Sequence, residues 1–213
     1  MNRENWSGKL YNLTEWIMRL AYLNLLWLSF TLIGFVVFGW TPATIAMHTI
    51  TRRWILGQEQ TKIFSTFLDI YRSQFLKSQK VGFTLLFLGV LLFVDMKIFM
   101  TGKSALFVLA KLFTIQLMVA YFVVLTYVFS IYVNFHMNGL KMFKMAFLMG
   151  LMHPIKSLYT LIGSFALIVL FITFPSITFL FGGSVLALWS TYNSHKLLQL
   201  NDHRIAQGQV SMS

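Results

Sequence analysis

The chain has 213 residues, of which 57% are hydrophobic and 11% charged, with a formal net charge of +11. Soluble domains are about one quarter charged and less than half apolar, so this composition excludes an ordinary soluble domain. It contains no cysteine, which excludes disulfides, a thiol nucleophile and a thiolate metal site. We expect an all-α polytopic membrane bundle of about five transmembrane helices plus short interfacial amphipathic helices. One membrane domain should cover 1–195, followed by a polar tail over 196–213.

The first predicted span covers 16–38 and follows a charged N-terminal segment. Residues 1–20 mix acidic and basic side chains, and they lack the short apolar core and small-residue cleavage site of a secretory signal. We therefore expect this first span to remain in the mature protein.

The stretch FGWTPATIAM at 38–47 interrupts that apolar run. Thr41 is a suitable helix N-cap, and Pro42 is a suitable first helical residue because that position needs no intrahelical N–H. The pattern predicts a new helix from Thr41 to about Gly57. This helix is too short to cross about 30 Å of hydrocarbon. It is either a helix lying at the interface or a half-helix folded back into the bundle.

Residues 61–80 predict an amphipathic helix with basic flanks, suited to a membrane surface. The alternative is a docking helix for a protein partner. The apolar face that would dock is aromatic and consists of Phe64, Phe67, Tyr71 and Phe75.

The next two predicted spans, 81–100 and 104–133, form a transmembrane hairpin with a tight connection at Gly102. Asp95 is the only acidic residue inside a predicted span, which makes it the first functional candidate. Asp95 and Lys111 lie roughly 10 and 14 Å from the turn at 1.5 Å per residue, so adjacent antiparallel helices can bring them together. The structural interpretation is a buried ion pair that locks the hairpin, and the functional one is a proton or substrate site.

Two prolines divide the rest of the chain. Pro154 ends a second amphipathic stretch and precedes a predicted span over 155–174, and Pro175 separates that span from the last one, over 177–192. Small side chains of the kind that let helix backbones approach closely occur in the last span. They are Gly182, Gly183, Ser184 and Ala187. We interpret them as a helix-packing face within the bundle; the alternative is a self-association face of a homo-oligomer.

The basic residues are concentrated in the segments 41–80 and 134–156 and in the C-terminal tail, which share one side if there are five spans. The positive-inside rule then places the C-terminus in the cytoplasm and the N-terminus outside, in a bacterial plasma membrane. If Pro42 instead divides a re-entrant hairpin, the N-terminus is also inside. The net charge fits anionic lipid headgroups as partners, and nucleic-acid binding is not expected.

Recognisable catalytic motifs are absent from the sequence. It has no Walker motif, Gly-x-Ser-x-Gly elbow or His-Glu-x-x-His, and the five histidines show no metal-ligand spacing. We expect no enzymatic activity, no cofactor and no metal.

Four features together resemble the YesL family of bacterial membrane proteins. They are NLLWLSF before GWTPATIAM, the helix FSTFLDIYRSQF, an Asp late in the second span, and FLFGGSVLALWSTY in the last span. The resemblance covers nearly the whole chain. It implies genes beside binding-protein-dependent sugar importers and polysaccharide-degrading enzymes in Gram-positive bacteria, with no established activity.

Two functions follow from the resemblance and the pattern of helices. The first is an accessory or regulatory protein of an oligosaccharide ABC importer, which contacts the permease subunits through its amphipathic faces. The alternative is a small transporter or channel in its own right, favoured by broken helices at Pro42 and Pro154, because half-helix ends can line binding sites.

Overall fold

The computed structural model describes residues 3–58, 62–102, 104–135 and 139–210. These residues form eight α-helices and no strand, which confirms the all-α fold. The helices are α1 Arg3–Ile33, α2 Trp40–Ile55, α3 Ile63–Gln74, α4 Gln79–Thr101, α5 Ala105–Phe135, α6 Leu140–Met152, α7 Pro154–Thr173 and α8 Pro175–Val210.

Four helical segments in the described part of the chain are long and apolar enough to cross a membrane. They are Tyr11–Ile33 of α1 and the whole of α4, α5 and α7. The fifth predicted span, 177–192, falls inside α8, which is not among these four, so a fifth crossing stays a prediction. Both proline boundaries are confirmed, because α7 begins at Pro154 and α8 begins at Pro175.

Helices α1 and α2 form an antiparallel hairpin. At its open end the rings of Trp16 and Trp54 lie 5.8 Å apart. At its closed end a Cβ on Gly34 would lie 2.3 Å from the Cα of Gly39, so the two backbones touch where only glycine fits. Of the two alternatives for the short helix, the structure shows the half-helix folded back into the bundle.

The expected N-cap at Thr41 is wrong. Helix α2 begins at Trp40 after Gly39, and its N-terminus has no side-chain cap. Thr41 instead lies in the first helical turn, fully buried, and its Oγ1 has no hydrogen-bond partner. A Cβ on Gly82 of α4 would lie only 1.9 Å from that oxygen. Packing against α4 therefore determines where this side chain lies, whereas Pro42 occupies the first turn, where proline is tolerated.

Helix α2 is the centre of the structure. Every residue from Thr41 to His48 is buried, and the helix contacts α1, α3, α4, α5 and α8. With 16 residues it is about 24 Å long. A helix buried on all sides needs neighbours on all sides, and the other helices supply them.

The α4–α5 hairpin leaves most of its apolar surface uncovered. Phe99 and Phe107 meet beside the connection at 6.2 Å, and the Tyr121 hydroxyl donates to the Leu85 carbonyl at 3.1 Å. Among the described helices, α4 contacts only α5 and α2. Its outward side chains, such as Phe87 at 68% exposure, therefore face the surroundings.

The second half of α5 belongs to the core, where it meets α6 and α8. All residues from Tyr127 to Val133 are buried, together with Met142 and Leu197. Leu197 lies in α8, which continues to Val210. The boundary predicted at residue 195 is therefore wrong, because the buried core extends past it.

The contacts also define two ends of the bundle. Arg52 donates to Asn134 at 2.6 Å, which places the C-terminal ends of α2 and α5 together. Because α1 and α2 are antiparallel, the segment of α1 around Trp16 lies at this same end. The connection between α4 and α5 lies at the opposite end, since α5 runs away from it towards Asn134.

The close approach of α4 to α2 is testable. Gly82→Ala should lower the free energy of unfolding by about 1–3 kcal/mol, because the added methyl group overlaps Thr41 in a packed contact. Thermal unfolding in detergent measures this, and Thr41→Ala in the same chain should recover part of the loss. Gly182→Ala is the matched control and should cost less. The atom nearest to its added Cβ would be Thr178 Cγ2 of the same helix, at 3.1 Å, compared with 1.9 Å between a Cβ on Gly82 and Thr41 Oγ1. Equal melting temperatures for Gly82→Ala and wild type would contradict the packing.

Candidate functional site

A buried polar cluster joins α2 to α8 and α5. His48 Nδ1 and Thr191 Oγ1 are 2.9 Å apart, and Thr51 Oγ1 lies 3.3 Å from the same oxygen. The His48 ring stacks on Phe129 at 5.6 Å. Each of these side chains has a partner within the protein, so the cluster is built to hold three helices together.

A second buried polar contact joins α1 to α8 through Asn24. Its Nδ2 donates to the Phe179 carbonyl at 2.7 Å, and its Oδ1 accepts from the Gly183 and Ser184 amides at 2.9 and 3.1 Å. Phe179 and Gly183 are four residues apart, the spacing of a helical hydrogen bond. The Asn24 amide thus bridges one turn of α8 from outside. No local sequence pattern indicates this role, because Phe179 and Gly183 lie 155 and 159 residues away from Asn24 along the chain.

The small side chains of α8 lie along this contact. A Cβ on Gly183 would meet Asn24 Oδ1 at 3.0 Å and Trp27 Cε3 at 3.1 Å. Gly182, Ser184 and Ala187 are also buried. The structure therefore places Gly183, Ser184 and Ala187 against α1 and α2, inside the bundle.

An open cleft of about 270 Å³ lies between α1 and the end of α2. Its walls are Asn12, Glu15, Trp16, Arg19, Trp54, Gly57 and Gln58. Glu15 and Arg19 form an ion pair across one helical turn. Trp54 is 6% exposed, and its indole Nε1 is buried without a hydrogen-bond partner. Indoles beside amides and charges can hold a small polar ligand that has an apolar face.

No local sequence pattern indicates this cleft. Trp16 and Trp54 are far apart along the chain, and the hairpin turn brings them together. Each alone resembles an aromatic residue of a membrane interface.

The docking face predicted on α3 is wrong for most of its residues. Phe67 and Tyr71 are buried against Phe30 of α1, with ring centroids 5.2 and 4.9 Å away. The Tyr71 hydroxyl donates to the Phe30 carbonyl at 3.0 Å, and burial raises its pKa. Phe75 packs on Tyr71 at 5.5 Å, and Phe64 is the member that stays exposed. The periodicity correctly predicted an apolar face, but α1 and α2 cover it.

The predicted ion pair between Asp95 and Lys111 is not formed. Both side chains are half-buried, and no ion pair joins these two described residues. Each lies one helical turn farther from the connection than Phe99 and Phe107, so the two share a similar depth. The spacing correctly predicted that depth but not the rotation of each helix, which decides whether the charges meet.

The described residues contain no group of three or more His, Cys, Asp or Glu that could hold a metal ion. His48 and His153 are buried, whereas His195 is half-buried on α8 and lies 3.1 Å from Gln199. His136 and the side chain of His203 lie outside the described residues.

The Asn24 bridge is testable with a substitution of similar volume. Asn24→Leu should lower the free energy of unfolding by about 1–3 kcal/mol, because it removes the partner of buried polar groups on α8. Thermal unfolding in detergent gives the change. Asn193→Leu is the control, since the Asn193 amide bonds only to the Trp189 carbonyl of its own helix among the contacts described. A smaller loss for Asn24→Leu than for the control would contradict the bridge.

Comparisons with known proteins place the chain among bacterial relatives. A family model described as "Protein of unknown function, DUF624" matches residues 20–96, which run from α1 into α4. No solved structure matches the chain.

Three proteins of Bacillus subtilis (strain 168), each described as uncharacterized, are similar over most of their length. YesV is 35% identical over 85% of this chain and 88% of its own. YesL is 33% identical over 93% of both chains, and YteU is 34% identical over 88% of this chain and 84% of its own. The chain therefore belongs to the YesL-like family, as the motifs quoted from its sequence indicate.

Proposed function

We propose that this protein is an accessory or regulatory membrane protein of a carbohydrate ABC import system, and that it binds the membrane helices of the permease subunits. Two lines support the proposal. The family resemblance implies sugar-import loci, and the α4–α5 hairpin offers a surface that the other described helices leave uncovered.

The charges on this hairpin are the observation that carries the proposal. Asp95 and Lys111 lie on two helices that are apolar enough to span a membrane, and neither has an ion-pair partner among the described residues. Charged side chains at such positions are costly and usually face a protein partner or a polar cavity. An opposite pair at similar depth suits a partner helix that carries complementary polar groups.

Exposed apolar surface alone does not distinguish a partner from lipid. Leu106 and Leu109 of the same hairpin are 74% and 65% exposed, and lipid tails cover such side chains as well as a protein does. A carboxylate, in contrast, gains from a hydrogen-bonding protein group that lipid tails lack. Substitutions of Asp95 and Lys111 are therefore the sharpest test of a permease contact.

The end of the bundle that carries Arg52 and Arg53 is proposed to face the cytoplasm. Lys141 and Lys144 begin α6 next to the same end of α5, and the positive-inside rule favours the cytoplasm for such a concentration. Because α1 and α2 are antiparallel, the N-terminal part of α1 lies on this side too. This is the orientation expected if Pro42 divides a re-entrant hairpin, with both the N-terminus and the C-terminus inside.

A transporter or channel is the second candidate. The observation that favours it is the short, buried α2 with a polar cluster at His48, since interrupted segments inside a bundle can form transport sites. Purified protein in liposomes that moves a sugar without any permease would favour this function over the accessory role.

Orientation can be tested with single cysteines, because the natural chain has none. Gln58→Cys should resist an impermeant thiol reagent in intact cells, and Ser104→Cys should react, because the two positions lie at opposite ends of the bundle. Both residues are exposed in the structure, so a membrane-permeant reagent should label both. Labelling of position 58 but not 104 by the impermeant reagent would reverse the assignment.

Permease association can be tested on the hairpin charges. Asp95→Asn and Lys111→Met should each reduce co-purification of the sugar permease from native membranes at least fivefold, whereas melting temperature in detergent stays within about 2 °C of wild type.

Lys97→Met is the matched control, since Lys97 lies on α4 near Asp95 and its Nζ sits 5.6 Å from the Phe93 ring of its own helix. It should leave co-purification unchanged. If all three variants co-purify as much permease as the wild type does, the permease does not bind this surface.

A further inference from the structure

A cleft between α7 and α8 combines positive charge with an apolar floor. It has a volume of about 310 Å³, and its walls are Ile155, Lys156, Tyr159, Thr160, Asn193 and Lys196. The two lysines come from different helices, and none of the lining residues is acidic. This cleft is separate from the hairpin charges and from the tryptophan cleft at α1.

The position of Lys156 adds to the positive potential. Helix α7 begins at Pro154, so Lys156 lies in the first turn, where the helix dipole presents its positive end. A lysine there is repelled by the dipole, and Lys196 adds a second positive charge. A bound anion would be attracted by the helix end and by both ammonium groups at once.

The outer face of α7 continues the cleft with exposed apolar side chains. Ile155 is 83% exposed, and Leu158, Tyr159 and Ile162 are about 60% exposed. Their spacing places them on one side of the helix. Tyr159 also packs on Trp189 of α8 at 5.3 Å, an aromatic pair of the kind found at the level of lipid headgroups. A free inorganic anion would leave this apolar surface unused, whereas an anion attached to acyl chains would cover it.

We propose that the cleft between α7 and α8 is a binding site for an anionic phospholipid. The lipid phosphate lies between Lys156 and Lys196, the Asn193 amide offers an N–H to the headgroup, and the acyl chains follow the exposed face of α7. The proposal depends on this cleft alone and not on the proposed permease contact.

Lipid binding to the purified full-length protein tests the site. Native mass spectrometry or thermal unfolding in detergent would be followed while phosphatidylglycerol is added, with phosphatidylcholine as the neutral lipid of equal chain length. Phosphatidylglycerol should bind more tightly than phosphatidylcholine and raise the melting temperature. The double variant Lys156→Gln/Lys196→Gln should lose about tenfold or more in affinity for phosphatidylglycerol, since each basic residue near anionic lipid contributes about a factor of five.

The matched control is Lys141→Gln/Lys144→Gln on α6. It removes the same charge from exposed lysines and should keep the wild-type affinity. Equal losses in the two double variants would overturn the site in favour of diffuse attraction.

Lys156→Arg/Lys196→Arg checks folding and charge together, and it should bind phosphatidylglycerol as wild type does. A loss in this variant equal to that of the glutamine pair would also overturn the proposal.

A competition with inorganic phosphate distinguishes a free anion from a lipid headgroup as the ligand. If phosphate alone at millimolar concentration displaces phosphatidylglycerol and gives the same rise in melting temperature, the cleft binds a free anion and the lipid assignment is wrong.

Discussion

The burial of α2 is the constraint on which the rest of the structure depends. A threonine-rich helix with a histidine can be enclosed on all sides only if its polar side chains find partners. The threonines largely find them within the helix, since Thr44 donates to the Trp40 carbonyl at 2.8 Å and Thr49 to the Ile45 carbonyl at 2.7 Å. His48 needs a partner from outside, and Thr191 of α8 supplies it. The helix is thus compatible with an apolar surrounding.

The neighbours of α2 follow from this requirement. Gly34 and Gly39 allow α1 to turn back sharply enough to lie against it, and Gly82 allows α4 to approach Thr41. Helix α5 contributes Phe129 to the ring of His48 and Asn134 to Arg52. Since α5 is one continuous helix from Ala105 to Phe135, the exposed hairpin is attached to the core through a rigid element.

The sequence predicted the features that depend on local chemistry. Pro154 and Pro175 start helices because proline removes a donor and fixes φ wherever it stands. Thr41 shows the limit, since its cap propensity is outweighed by packing against Gly82, a residue that local pattern does not connect with it. On α3 the periodicity predicted an apolar face but not the helices that cover it. In the α4–α5 hairpin the spacing predicted that Asp95 and Lys111 lie at similar depth, but not how each helix is rotated about its axis. The tryptophan cleft and the Asn24 bridge both need the tertiary fold.

The signs of their charged side chains distinguish two surfaces that are otherwise alike. Both the α4–α5 hairpin and the outer face of α7 present apolar side chains that lipid tails would cover. Asp95 and Lys111 have opposite signs, and an anionic bilayer repels a carboxylate as much as it attracts an ammonium group. Such a pair is matched by a protein that presents both signs. Lys156 and Lys196 have the same sign and adjoin a helix N-terminus, which together match a phosphate. The hairpin is therefore the surface to test with a permease, and the α7–α8 cleft is the one to test with lipid.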